Sequence, residues 1–299
     1  VPEVAYLPGV VDRHVHLTLV DASQLRDSAV VEVHDLGGDP AVVGALASAL
    51  SPAVHVRYAG PFHTAVGGYP SGRSWAPDSA VRQVTDPADA VRAVTGLRDT
   101  GASAVKIALN ADMPLLDEAC LTALIATARR CGLRSLVHAE GTGQATRAIA
   151  AGADALVHTP WSDALPDAVI REAVGRGMPW ISTLAIHEGA ALGVAMDNAR
   201  RFVAHGGRLL YGTDMGNGLT PVGVSAGELA LLGEAGLAGD ALLAAVLRPG
   251  TGGSTADMLR GEGPLPGTAA ELASWLATAE RRAPHPAGVR SPAEGEEPR

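Results

Sequence analysis

Cysteine, lysine and aromatic side chains are all scarce in this sequence, and each scarcity excludes something. Only Cys120 and Cys131 occur among 299 residues. Both fall in a segment patterned as helix, where eleven residues rise about 16 Å, too far for a disulfide. A disulfide scaffold is therefore excluded, and a reduced, cytoplasmic setting is expected. Positive charge is also short: the formal net charge is −9, with no Lys/Arg cluster. That balance argues against a phosphate-backbone binder, so no nucleic-acid partner is expected. Long apolar runs are missing too, since Gly, Pro or a charge interrupts each one, and no basic-then-apolar leader opens the chain. No membrane partner is expected either.

Lysine is the most telling shortage. Of 23 basic residues, 22 are Arg and the single Lys stands at position 106. Arg serves as a surface cation, but it cannot become a neutral amine, whereas a buried Lys can.

What the sequence does have is a core. At 47% hydrophobic and 18% charged, it can bury a large α/β domain. Eight short apolar runs alternate with helical patterns: 10–16, 29–36, 53–58, 103–109, 134–138, 155–158, 180–184 and 208–212. Near-continuous apolar strands separated by helices predict parallel strands covered on both faces, in the arithmetic of a (β/α)8 TIM barrel. Helices are predicted after Asp86-Pro87, with Ala88, Val91, Val94 and Leu97 as the buried stripe and Gly101 as the stop. Others are expected over Pro114–Gly132 and Pro166–Gly177, and within 225–247. A Gly/Pro-rich loop is expected over 59–79, carrying Phe62, Tyr69 and Trp75 from a total of ten aromatics. One domain over 1–280 and a disordered tail over 281–299 complete the division.

Val10-Val11-Asp12-Arg13-His14-Val15-His16 is the motif that organises the rest. Along a strand, alternate residues share a face, so His14 and His16 lie about 7 Å apart on one side and can grip one cation. Asp12 shares that face but sits below them, as a support rather than a ligand. In a parallel barrel, chemistry gathers where strands end. Lys106 lies in the fourth strand, His138 and His158 end the fifth and sixth, and Asp214 follows the eighth in Gly212-Thr213-Asp214. Six potential ligands at one rim point to a metal site. Glu140, one alternation beyond His138, reads either as a mouth-lining carboxylate or as a solvated one.

These motifs resemble the amidohydrolase superfamily of metal-dependent hydrolases, over roughly residues 7–248. The stretch from Lys106 to His158 and the Gly67-Gly68 loop are most similar to its imidazolonepropionase-like and prolidase-like branch. The resemblance implies two divalent metal ions, Zn2+ first and Mn2+ second, with a CO2-derived carbamate on Lys106 bridging them. His14, His16 and Asp214 would hold one ion, His138 and His158 the other. It further implies a bridging hydroxide that attacks an amide, peptide-like or cyclic amide bond, with Asp214 as general base and acid. Loop residues His63, Tyr69 and Arg73, with Trp161 and His187, would contact a small-molecule substrate. Many relatives add a β-sandwich; with nine residues before Val10 and no apolar strand after the eighth, a barrel without the sandwich is expected here. An esterase, lactonase, phosphotriesterase, cyclase or lyase could use the same ligands, and a non-catalytic binding barrel is a third class. A homo-oligomer stays open.

Overall fold

The computed structural model describes residues 4–249 and 257–281. Its central strands follow from the apolar runs. β2 (Val10–Val15) is buried at every position, as is β7 (Ala104–Asn110), and β8 (Arg134–Glu140) is buried except at its ends. Strands covered on both faces need no polar alternation, which is why these read as continuous apolar segments. β1 (Val4–Pro8) precedes them, and β3 (Val30–Asp35), β4 (His55–Tyr58), β5 (Phe62–Ala65) and β6 (Val81–Val84) lie between β2 and β7. β9 (Ala155–Leu156), β10 (Trp180–Ile181) and β11 (Leu209–Leu210) follow as short strands.

Pairing among β2 to β11 is parallel throughout. One sheet runs β2-β3-β4; the other runs β11-β10-β9-β8-β7-β5-β6. Backbone hydrogen bonds join the two sheets. Ser103 N donates to Tyr58 O at 2.8 Å on one side; on the other, Arg13 N donates to Tyr211 O at 3.2 Å and His16 N to Met215 O at 2.7 Å. The result is a TIM-barrel-like α/β domain in which the eight expected runs appear as β2, β3, β4 and β7 to β11, with β5 and β6 added beside β7.

Helices pack outside the strands, and the first three are started by side-chain caps. α1 (Pro40–Leu50), α2 (Pro87–Arg98) and α3 (Glu118–Arg130) are capped by the carboxylates of Asp39, Asp86 and Asp117, which accept from orphan first-turn N–H groups. The buried stripe of α2 is Ala90, Val94 and Leu97, while Val91 is 37% exposed. This corrects the expected Ala88–Val91 face: positions i, i+4 and i+7 keep to one side of a 3.6-residue helix, and 91 drifts off it. α4 (Gln144–Ala150), α5 (Asp167–Gly175) and α6 (Gly189–Ala204) continue the outer layer. Under α6, Phe202 stacks on Trp180 of β10 with ring centroids 3.9 Å apart, anchoring the shortest part of the sheet. α7 (Ala226–Glu234) and α8 (Gly239–Val246) occupy the expected closing region.

Three further expectations need correction. The 59–79 segment is not a single loop, because the chain resumes as β5 after Gly60-Pro61, and β5 pairs β7 through Phe62–Lys106 and His63–Ile107. Strands also exist outside the barrel-like domain. β1 pairs antiparallel with β12 (Met258–Glu262), which pairs with β13 (Glu280–Arg281), and α9 (Ala269–Thr278) lies between these two in sequence. Among the described residues these strands form one small three-stranded sheet, built from segments 4–8, 258–262 and 280–281. These strands are short and half exposed, with no dense apolar signal. Arg281, placed in the tail by the sequence reading, donates its guanidinium to the carbonyls of Leu25, Ser28, Val30 and Ala53. The remainder of the expected tail, 282–299, lies outside the described residues. Both cysteines are free. No helix among the described residues is long and apolar enough to cross a membrane.

Candidate metal centre and substrate cavity

The site is assembled where β2 meets the segment following β11. Asp12 makes that junction: its Oδ1 accepts from His14 N at 3.1 Å and Thr213 N at 3.0 Å, and its Oδ2 from the Thr213 hydroxyl at 2.5 Å. Asp12 therefore supports the site, as its position below the histidines suggested. Glycine at 212 is required by proximity, since any Cβ there would overlap Ile181 and crowd the backbone of His14. Asp214 then enters the left-handed region (φ 55°), which swings its carboxylate back toward the two histidines.

The geometry of His14, His16 and Asp214 defines the chemistry. His14 Nδ1 lies 2.7 Å from Val157 O and His16 Nδ1 lies 3.3 Å from Gly37 O. Carbonyl oxygens only accept, so both Nδ1 atoms carry a proton, and in the neutral ring Nε2 presents the lone pair. Those lone pairs converge on Asp214 Oδ1, at 3.2 Å from His14 Nε2 and 3.3 Å from His16 Nε2. Burial pushes His14 well below its ordinary value, so it is neutral. Asp214 Oδ1 is accordingly buried without a hydrogen-bond donor. Three lone pairs facing one another in a buried space repel unless a cation sits among them, and all three atoms lie within 4.8 Å of one another. An N,N,O donor set of this kind suits a divalent transition metal.

Lys106, His138 and His158 complete the ring of six. Lys106 Nζ lies 3.4 Å from His14 Nε2 and 5.4 Å from the centre of the Phe62 ring, and burial pushes its amine down to about 7. His158 stands with ring centroids 4.5 Å from His14 and 4.9 Å from His138. Its Nδ1 is held by the hydroxyl of Thr183 at 2.7 Å, and Thr183 is itself in the left-handed region (φ 42°). Burial pushes both His138 and His158 down, so they are neutral donors. His138 Nε2 donates to Glu140 Oε2 at 3.2 Å, which leaves Nδ1 as its lone-pair nitrogen. Glu140 also accepts from Asn110 Nδ2 at 2.7 Å and lines the cavity. Of its two sequence readings, the mouth-lining one holds, with the added task of fixing the His138 ring.

Above these residues lies a cavity of about 230 Å³, bordered by a second of about 360 Å³. Tyr69 stacks on His138 at 5.2 Å and 17°, and Trp161 packs against His158 at 5.2 Å and His187 at 4.7 Å. Three of the five expected contacts, Tyr69, Trp161 and His187, line the first cavity. His187 Nε2 is buried without a partner, and burial pushes the ring down to about 4. Its loop is held from behind by Glu228 of α7, whose carboxylate accepts from Leu184 N and Ala185 N.

His63 and Arg73 are placed otherwise. His63 is a β5 residue, buried, with Nδ1 donating to Lys106 O at 3.1 Å; it pins the strand that carries Lys106 and does not line the cavity. Arg73 is exposed and lines neither cavity, although its charge reaches Tyr69 and Glu140. Sequence reasoning missed Asn217, which donates to Asp214 Oδ2 at 2.9 Å and borders both cavities. Asn three residues after Asp in a Gly-containing turn was the available signal.

No protein-family model and no curated protein sequence matches the chain. Solved structures do. The chain superposes on a Xaa-Pro dipeptidase with bound methionine in its active site with a TM-score of 0.72 at 18% identity, covering 92% of this chain and 84% of that one. For an amidohydrolase the TM-score is 0.68 at 18% identity, over 91% and 82%. For phenylurea hydrolase B it is 0.64 at 16% identity, over 89% and 82%. The chain thus shares the fold of these three solved structures.

Proposed function

We propose that this chain is a member of the amidohydrolase superfamily, a closed (β/α)8 barrel enzyme that hydrolyses an amide-type C–N bond with two divalent metal ions. The observation that carries the reading is the buried convergence of His14 Nε2, His16 Nε2 and Asp214 Oδ1 with no donor among them. Structures of the same fold that are named for hydrolysing Xaa-Pro dipeptides and phenylureas support it.

His14, His16 and Asp214 would hold one ion, and His138 and His158 the other, with Lys106 shared as its carbamate. Zn2+ is the first choice and Mn2+ the second. Such ions supply Lewis-acid polarisation of a carbonyl and bring the pKa of water down to about 7. The chain's own residues do the rest. Carbamylation needs a neutral primary amine, and the buried Lys106 provides one near neutral pH. Asp214 takes the proton of the attacking water and returns it to the leaving nitrogen. Asn217 orients that carboxylate from its far oxygen. The unpartnered His187 Nε2 faces the substrate, and the Tyr69 and Trp161 rings enclose its apolar part.

A panel of N-acyl amino acids, aryl amides, aryl ureas, esters, lactones and phosphotriesters tests this. The C–N substrates should turn over, and a chelator should abolish the turnover. Turnover confined to esters, lactones or phosphotriesters would reject the amide reading and leave the metal site standing.

A further inference from the structure

The strands' other end holds a further cavity, of about 230 Å³, with an unusual wall. Arg134 opens β8, and Arg208 directly precedes β11; both line it, together with Arg13, His34 and Arg57. Four of the chain's 22 arginines therefore face one small space in a protein of net charge −9. No Asp or Glu side chain lines it among the described residues. Its interior is apolar and small-walled, from Ala104, Leu136, Ala155 and Ile181, all buried. Barrel interiors of this kind are ordinarily filled by larger branched side chains at this layer.

The nearby negative charge is already engaged. Glu32 receives His34 at 3.0 Å and Arg57 at 3.0 Å on one oxygen and Arg248 at 3.1 Å on the other. Asp257 is taken by Arg248. Arg13 is 8% exposed, and its guanidinium meets only the carbonyls of Val11, Ala245 and Leu247. Arg134 spends one N–H on Asp154 O at 3.2 Å. The Arg208 side chain has no hydrogen bond or ion pair among the described residues, and its charge adds to the burial that pushes Arg13 down to about 10. Unpaired guanidiniums around a partly enclosed, low-dielectric space raise the local concentration of anions and offer planar N–H pairs that match a phosphate or carboxylate edge.

We propose that this cavity is a binding site for a small organic oxyanion, a phosphate or carboxylate head met by Arg13, Arg134 and Arg208, with an apolar body seated against Ala104 and Ala155. The site lies at the opposite strand ends from His14 and Asp214 and is independent of the metal reading.

The test is calorimetric titration at fixed ionic strength with three probes: inorganic phosphate, phenyl phosphate and benzoate. Each is run on the metal-loaded and on the chelator-treated chain, and on the double variant Arg134→Gln/Arg208→Gln. Both substituted residues are exposed, so the variant should fold, as circular dichroism will check. One saturable site per chain is expected for phenyl phosphate or benzoate, unaffected by chelation and weakened at least tenfold in the double variant. The tighter of the two identifies the head group, and inorganic phosphate should bind more weakly than phenyl phosphate because it leaves the apolar wall unused. Binding equal in the double variant, binding abolished by chelation, or no saturable binding of any probe would each overturn the proposal.

Discussion

Asp214 Oδ1 lies 3.2 Å from His14 Nε2, and both atoms present lone pairs, because the His14 proton is fixed on Nδ1 by Val157 O. A buried contact between two acceptors costs free energy in the bare protein. It is retained when a function uses it, and a divalent cation turns the same contact into coordination. Asp214→Asn should remove both the repulsion and the site. Metal content should fall, activity should drop by about 10³-fold or more, and the metal-free variant should melt no lower than the metal-free parent. A variant that keeps its metal and half its activity would refute this.

Glu140 tests how the second group of histidines is oriented. Its carboxylate holds the Nε2 proton of His138, so Glu140→Ala frees the ring to take the wrong tautomer. Metal affinity should weaken about 10- to 100-fold, as for other groups that orient a ligand. Glu140→Gln keeps an acceptor oxygen and should recover most of the loss. Competition titration with a chromophoric chelator reads both variants.

Lys106 is the chain's lone lysine, and its role is chemical rather than electrostatic. Lys106→Ala should fold but lose bound metal and activity. A small carboxylate such as acetate, which supplies the two oxygens a carbamate would, should restore part of both. Full activity without the additive would rule out the carbamate.

Acid stability should depend on Glu32. Burial pushes its carboxyl up, but the hydrogen bond from His34 and the charges of His34, Arg57 and Arg248 outweigh that and hold it at about 2 against an ordinary 4.5. A depressed folded-state value means the stabilisation is present above pH 4.5 and is lost as pH falls toward 2. Linkage makes it on the order of 3 kcal/mol. Urea midpoints measured across that window should fall steeply for the parent and more gently for Glu32→Gln.

Much of this architecture was legible because two patterns are robust. Doubly covered parallel strands such as β2, β7 and β8 are apolar throughout, and strand alternation places His14 and His16 on one face. What stayed hidden depended on tertiary context. β1 and β12 alternate buried and part-exposed residues over only five positions each, and they gain their stability from each other across the length of the chain. His63 read as a loop residue because Gly60-Pro61 breaks the third strand, yet β5 resumes at Phe62 through its pairing with β7. Asn217 reaches Asp214 only because Asp214 adopts φ 55°, a local conformation that no periodicity reveals.

Metal stoichiometry decides whether this chain holds two divalent ions. Inductively coupled plasma mass spectrometry on the protein, purified without chelator and reconstituted with Zn2+ or Mn2+ and bicarbonate, should give close to two divalent ions per chain. Paired His14→Ala/His16→Ala and His138→Ala/His158→Ala variants should each retain at most one. A parent protein that binds no divalent ion under these conditions, or that hydrolyses its substrate equally well after complete chelation, would contradict the account.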